Sequence, residues 1–156
     1  MVKHIEGWKL RKALRNGENV VVHSFRGATT DDMKSYSLPT KRRNPGHVVI
    51  HVGTNDLESD KTPKEIAKDI YDIAQRLKTN DNMVTVSGLV PRGDQILNGK
   101  VVKMNDELIE IARSCKFGFV DHSNINPENH LNGSRLHTNK RGTAMIANNA
   151  IKFLCN

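Results

Sequence analysis

Cysteine and long apolar runs are both scarce in this sequence. Its 156 residues include only two cysteines, Cys115 and Cys155. Two cysteines are too few for a disulfide framework, so we expect both to be reduced and packed. No apolar run approaches the length that spans a membrane, and the amino terminus has no signal-peptide core. These absences argue against a secreted disulfide scaffold or a membrane span, and they favour an intracellular, cytoplasmic location by default.

Metal-ligand motifs and internal repeats are also missing. The seven histidines have spacings that match no ligand motif, so we predict no metal and no cofactor. The chain shows no internal repeat, no low-complexity segment and no domain boundary. It is long enough to bury a full core. We therefore predict a single domain over residues 1–156.

The charge is strongly positive, with a formal net value of +7. Small basic clusters lie at residues 9–15, 41–43 and 140–141. Such a balance favours acidic partners such as nucleic acid. A dispersed basic surface is more often only solubilising, so weak nucleic-acid binding stays an alternative. The oligomeric state cannot be predicted from these patterns.

Short β-branched runs alternate with helical patterns along the chain. An apolar run of this kind is typical of a strand buried on both faces. Alternation of strands with helices predicts an α/β fold with a parallel sheet covered by helices on both sides. Strands are predicted at residues 20–22, 47–52, 83–86 and 117–120, helices at about 2–15, 31–36, 63–77, 100–114 and 140–154, and loops at 41–46, 88–94 and 126–136.

Three polar segments fall at the carboxyl edge of the predicted sheet, where ligands bind in open α/β folds. They contain Gly27, then Asn55 with Asp56, and finally His137. A free backbone N–H, an amide and a histidine base are parts of an acyl-transfer site. Glycine, asparagine and aspartate are also ordinary turn residues, and Asp56 is better explained as a local hydrogen-bond acceptor than as a catalytic acid. Asp121 and His122 follow the last strand and fit either a site or a turn.

These segments resemble three of the four sequence blocks of the SGNH (GDSL-type) hydrolases. The matching stretches are residues 26–30, 51–57 and 136–143, so the resemblance covers nearly the whole chain. More narrowly, the sequence resembles the esterase-like domain of LINE-type retrotransposon proteins. The resemblance implies a three-layer α/β/α flavodoxin-like fold and a serine esterase that acts on a small ester or acetylated substrate. It makes Gly27 and Asn55 the oxyanion donors and His137 the general base.

Two departures from that family bear on activity. The family's nucleophilic serine lies in a Gly-Asp-Ser segment, which we expect to precede Met1, so the chain is interpreted as truncated there. Second, Ser134 stands where the family usually has an acid three residues before the histidine. Neither Ser24 nor Ser134 lies on a strand-to-helix elbow, so neither is predicted as a substitute nucleophile. Loss of a triad nucleophile costs on the order of a million-fold in rate, so as written the chain is not expected to be a competent esterase.

The same gap affects the sheet and leaves a second functional class open. In the order 2-1-3-4-5 the missing first strand is central. Its absence should leave two edges unpaired, or make the 20–22 strand pair with the 47–52 strand, and stability should be low. The alternative function is a non-catalytic pseudoenzyme or retroelement-derived fragment that binds nucleic acid or a protein partner.

Overall fold

The computed structural model describes residues 5, 7–14 and 19–155. Within them, three parallel strands form one sheet, and helices connect and cover the strands. The strands are β1 (His47–Ile50), β2 (Met83–Ser87) and β3 (Gly118–Val120); the helices are α1 (Gly7–Ala13), α2 (Thr30–Tyr36), α3 (Leu38–Arg43), α4 (Pro63–Leu77), α5 (Gln95–Cys115), α6 (Pro127–His130) and α7 (Lys140–Cys155), with a 3₁₀ helix at Asn55–Glu58.

The sheet has the order β1-β2-β3, and every pairing is parallel. Val48 lies beside Val84, and Val86 lies beside Phe119. Each crossover passes through a long helix, α4 between β1 and β2 and α5 between β2 and β3, as parallel strands require. The predicted α/β class with a parallel sheet is confirmed.

One face of the sheet carries the main hydrophobic core. Alternate side chains of β1 and β2 point to this face and pack against α4 and α5. Helix α4 begins at a capping box in which Thr62 and Glu65 satisfy each other's backbone N–H groups. The buried side chains shared by these elements include Val48, Ile50, Val84, Val86, Ile66, Ile70, Ile73, Leu77, Val101, Met104 and Leu108.

The opposite face of the sheet is polar and lies under α7. Ser87 of β2 is buried between two imidazoles, with its Oγ 3.0 Å from His51 Nδ1 and 2.8 Å from His122 Nε2. Asn149 of α7 donates from Nδ2 to His122 Nδ1 at 3.0 Å. With that nitrogen accepting, the His122 Nε2 proton points to Ser87, and the Ser87 hydroxyl points to His51. The chain of bonds ends at His51 Nε2, which has no partner among the described residues.

The predicted first strand is wrong. Residues 20–22 form no strand, and Val21 is 59% exposed. Within the described residues β1 pairs only with β2, so of the two expected arrangements an unpaired β1 edge is the one observed. An apolar β-branched run becomes a strand only when a neighbouring strand satisfies its backbone groups, and residues 20–22 have no such neighbour in the described part.

The other differences concern loops and helix boundaries. The basic residues 41–43 belong to α3 rather than to a loop, because Pro39 in the first turn starts a helix there. Helix α5 begins at Gln95, where Asp94 caps it, several residues before the predicted start. A short helix, α6, interrupts the predicted irregular stretch at 126–136. The predicted helix at 2–15 is observed only at 7–13 and otherwise lies largely outside the described residues.

No helix in the described part of the chain combines the length and apolarity needed to cross a membrane.

The buried His122 and the half-buried His51 predict a loss of stability in mild acid. Burial lowers the pKa of His51 from 6.5 to about 3 and the pKa of His122 from 6.5 to about 4. Between about pH 4 and pH 6.5 the unfolded chain therefore binds more protons than the folded chain, so the free energy of unfolding falls as the pH falls. Each histidine contributes up to ~1.4 kcal/mol per pH unit.

Urea titrations at pH 4.5 to 8 measure this dependence. We expect a plateau above about pH 7 and a steep decline below it. His51→Phe should reduce the slope, whereas His23→Gln, at an exposed position, should leave it unchanged. A stability that is flat from pH 7 to pH 4.5 would contradict the neutral state of both rings.

Candidate active site

The turn after β1 positions the first candidate residues. Gly53 has a positive φ of 106°, and a Cβ atom there would lie 2.6 Å from Met104 Cε and 3.1 Å from Ile70 Cδ1. Only glycine fits this conformation and this space. The chain therefore leaves the core at Gly53 and turns at once into the 3₁₀ helix that begins at Asn55. This geometry places Asn55 at the surface, at the carboxyl edge of the sheet.

Asp56 joins this turn to the start of α2. Its side chain is buried, with the residue only 1% exposed. It accepts hydrogen bonds from the Thr30 N–H at 3.1 Å and from the Thr30 hydroxyl at 2.7 Å. Thr29, the residue before Thr30, caps α2 through a reciprocal capping box with Asp32. Asp56 is thus a long-range acceptor, 26 residues from Thr30, rather than the local one expected from the sequence.

An ion-pair cluster surrounds this junction. Lys61 Nζ lies 2.7 Å from Asp69 and 2.6 Å from Asp31, and Lys34 contacts the same two carboxylates. These hydrogen bonds lower the pKa of Asp31 to about 2 and raise the pKa of Lys61. Burial acts to raise the pKa of Asp69, but the bonds from Lys61 and Lys34 outweigh it and lower that pKa. All four groups are therefore charged at neutral pH.

Asn55 lies against the loop that carries Gly27. Its Nδ2 donates to the Ala28 carbonyl at 2.8 Å. Because an amide nitrogen has two hydrogens, one donor remains available. Gly27 has a positive φ of 75° and is exposed, and no hydrogen bond in the described part of the chain engages its N–H. The structure therefore brings together the two residues that were predicted as oxyanion donors.

His137 lies on a separate, exposed loop at residues 132–137. Asn132 organises this loop: its N–H donates to the His137 carbonyl at 2.7 Å, and its Oδ1 accepts from the His137 N–H at 3.3 Å. No hydrogen bond among the described residues reaches the His137 ring. Ser134, in the expected acid position, donates instead to Asn132 Oδ1 at 2.8 Å. Ser134 therefore does not orient the imidazole.

The residues after β3 have structural roles. Asp121 accepts from the Ser123 N–H at 2.9 Å. This hydrogen bond belongs to a turn after β3, which is one of the two interpretations of Asp121 that the sequence allows. His122 is buried beneath α7. Among the described residues, no group of three or more His, Cys, Asp and Glu side chains could hold a metal ion.

Two features of the site were missed in the sequence. One is Asn132, the organiser of the His137 loop, because asparagines in a polar stretch carry no distinguishing signal. The other is Arg92 on the loop after β2, which is buried to 6% exposure. Its position at a strand's carboxyl end was the available signal.

The described residues define an α/β protein with a parallel sheet and with polar groups at the carboxyl ends of its strands. A model of the GDSL-like lipase/acylhydrolase family matches residues 4–145. The chain therefore belongs to the GDSL-like lipase/acylhydrolase family. None of the curated protein sequences is significantly similar to it.

Solved structures share this fold at low sequence identity. A lipolytic protein of the G-D-S-L family from Veillonella parvula is 18% identical, with 94% of this chain and 86% of that chain aligned and a TM-score of 0.78. An α/β hydrolase enzyme from the metagenome of Lake Arreo is 18% identical, with coverages of 96% and 81% and a TM-score of 0.79. A psychrotrophic esterase from Pseudoalteromonas sp. is 13% identical, with coverages of 94% and 82% and a TM-score of 0.74.

Substitution of Gly53 tests the packing of the turn. Gly53→Ala should destabilise the protein by about 3 kcal/mol, because it combines overpacking with a strained positive φ. Gly99→Ala in α5, where a Cβ meets nothing within 4 Å, should instead stabilise by about 0.5–1 kcal/mol. Chemical denaturation measures both. Equal effects of the two substitutions would contradict the close packing at Gly53.

Substitution of Asp56 tests the junction. Asp56→Ala leaves the buried Thr30 N–H without its acceptor and leaves the Thr30 hydroxyl only Asp69, at 3.1 Å, so it should cost about 3 kcal/mol of unfolding free energy. The control is Asp72→Ala, which breaks only the exposed pair with Lys68 and should cost less than about 0.5 kcal/mol. A loss below about 1 kcal/mol for Asp56→Ala would show that the bridge is not a main support of the fold.

Proposed function

We propose that this domain carries the ester-hydrolase site of its family without the nucleophile, in which Gly27 and Asn55 would hold the oxyanion and His137 would act as the general base once a serine is supplied. The observation that carries the proposal is the 2.8 Å hydrogen bond from Asn55 to the Gly27–Ala28 loop. It fixes an amide donor beside an exposed glycine whose N–H is not otherwise engaged in the described structure. Membership of an acylhydrolase family supports the same reaction class.

The chemistry requires a nucleophilic oxygen that attacks the ester carbonyl carbon. As the tetrahedral intermediate forms, negative charge develops on the carbonyl oxygen, which the Gly27 N–H and the free Asn55 N–H would stabilise. His137 would accept the proton of the nucleophile and then donate it to the departing alcohol. A water activated by the same imidazole would hydrolyse the acyl-enzyme. Small esters, including acetyl esters, fit this reaction.

The nucleophile is the incomplete part of the site. In the resembling family it belongs to a Gly-Asp-Ser segment that ends a strand, and the 156-residue sequence contains no such segment. Ser134 brings no charge to His137, so the imidazolium would lack the usual carboxylate partner. We therefore propose that this chain by itself does not hydrolyse esters at an enzymatic rate. The narrower relation to retrotransposon esterase-like domains also remains a proposal, supported by the matching motifs.

Restoring the segment tests the proposal. A strand ending in Gly-Asp-Ser is fused ahead of Met1, and hydrolysis of p-nitrophenyl acetate is measured. We expect the unmodified chain to be at background and the fused protein to be active. Since His137 is the proposed base, His137→Ala should lower kcat of the fused protein by at least about a thousandfold.

The matched control is His130→Ala, on α6 near the same loop. His130 accepts from the Asn126 N–H, so this variant probes local structure without touching the proposed base. It should retain most of the activity. A fused protein that is folded and inactive, or one in which His137→Ala has no effect, would contradict the esterase proposal.

A non-catalytic function is the alternative, and one observation favours it. Lys41, Arg42 and Arg43 are exposed in the last turn of α3, and none forms an ion pair with a described acidic residue. They could contact nucleic-acid phosphates. Binding to a single-stranded oligonucleotide should then weaken steeply with salt. Replacing all three residues with glutamine should reduce the slope of log Kobs against log salt concentration by about 2. Absence of binding at 50 mM salt would remove the nucleic-acid branch of this alternative.

A further inference from the structure

A cleft of about 370 Å³ opens at the carboxyl edge of the sheet. It lies between the loop after β2, the segment that starts α6 and the loop that carries His137. The cleft is lined mainly by polar and charged residues, whereas the core is apolar. It is lined by Arg92, Gly93, Asn126, Pro127, Glu128 and Arg135.

Arg92 is the unusual member of this lining. The residue is only 6% exposed, yet no hydrogen bond or ion pair joins its guanidinium group to any other described residue. Burial lowers the pKa of Arg92, and the charge of Glu58 raises it only in part. Buried arginines are normally paired, because desolvation of the cation is costly. An arginine that lines a cleft and whose guanidinium group has no acceptor among the described residues fits a ligand that supplies the acceptors.

The backbone around Arg92 is held in place. Its own N–H donates to Asn98 Oδ1 at 2.9 Å. Earlier in the same loop, Asn105 accepts from the Leu89 N–H at 2.7 Å and donates to the Leu89 carbonyl at 3.0 Å. Both asparagines belong to α5. The loop after β2 is thus fixed to a long helix, which is the preorganisation that a binding arginine needs.

Arg135 supplies the second cation. The Gly93 N–H donates to the Arg135 carbonyl at 3.3 Å. A Cβ atom on Gly93 would lie 2.4 Å from Arg135 Cβ, so glycine permits the close approach of the two loops. Arg135 itself is exposed and precedes His137 by two residues. The cleft therefore joins the Arg92 loop to the loop of the proposed catalytic base.

The geometry points to a binding site for a carboxylate group carried by the ester substrate, with Arg92 as its main ligand and Arg135 as the second. Two arginines and Glu128 leave the lining with a single net positive charge, which matches a monoanion better than a phosphate dianion. The guanidinium fork pairs with both oxygens of a carboxylate. The inference that the carboxylate belongs to an ester rests on the proposed function, whereas the anion site itself does not.

Binding to the full chain tests the site without any turnover. Monomethyl succinate is titrated at constant ionic strength, and the shifts of the Gly93 amide and the Arg92 side-chain N–H are followed by NMR. Dimethyl succinate is the neutral control, and inorganic phosphate is the second anion. We expect saturable binding of the monoester, none of the diester, and weaker binding of phosphate.

The variants separate binding from structure. Arg92→Met should weaken binding at least about tenfold, a change of one order of magnitude in Kd. Arg92→Lys should be intermediate, because lysine keeps the charge but not the fork. Arg113→Met, on the exposed face of α5 where it pairs with Glu110, should bind normally. Since the Arg92 guanidinium group has no partner to lose among the described residues, Arg92→Met should have a Tm no lower than the parent protein.

Three outcomes would overturn the assignment. They are an absence of saturable binding, binding that Arg92→Met leaves unchanged, and a lower Tm for Arg92→Met, which would make Arg92 structural. Tighter binding of phosphate than of the monoester would show that the carboxylate class is wrong. A chain that binds the monoester but stays inactive after the serine is restored would contradict only the esterase proposal.

Discussion

The bridge between Asp56 and Thr30 holds the candidate site together. A buried carboxylate that accepts from both the backbone and the hydroxyl of one residue fixes the two loops in position and in angle. Those loops carry Asn55 and Gly27, which are distant along the chain, and the bond from Asn55 to the Ala28 carbonyl joins the same two loops. The bridge is itself supported by Lys61 and Asp69 around it. The donor geometry proposed for catalysis is therefore a consequence of a structural ion and hydrogen-bond network.

The two faces of the sheet contribute differently to stability, because one is apolar and the other is polar. The α4–α5 face is apolar and supplies most of the hydrophobic stabilisation. The α7 face is a polar chain through His51, Ser87 and His122, whose neutral imidazoles couple stability to pH. Above both, the strand ends present a shallow edge where loops meet. There the Asn55 turn follows β1, and the Arg92 cleft is lined by Arg135, two residues before His137.

Helix α4 could be predicted from its capping box and its apolar period, and the β1 and β2 strands from their β-branched runs, because these are local signals. Asn55 could be predicted as a site residue from its place after a strand, whereas its role as an oxyanion donor came from the resemblance to family blocks. The run at residues 20–22 failed as a strand because pairing depends on a neighbour, which no local pattern reveals. Arg92 was missed for a similar reason: whether a loop arginine is buried without a partner depends on how α5 and the 132–137 loop close around it.

The central claim is that Asn55 and Gly27 form a prearranged oxyanion site, and kinetics of Asn55→Ala in the serine-restored protein test it most directly. Removal of one oxyanion donor typically lowers kcat by about a hundredfold to a thousandfold. We predict a loss of that size in kcat with little change in KM, because the interaction strengthens only as the oxyanion develops. A loss of less than about threefold in kcat would contradict the account.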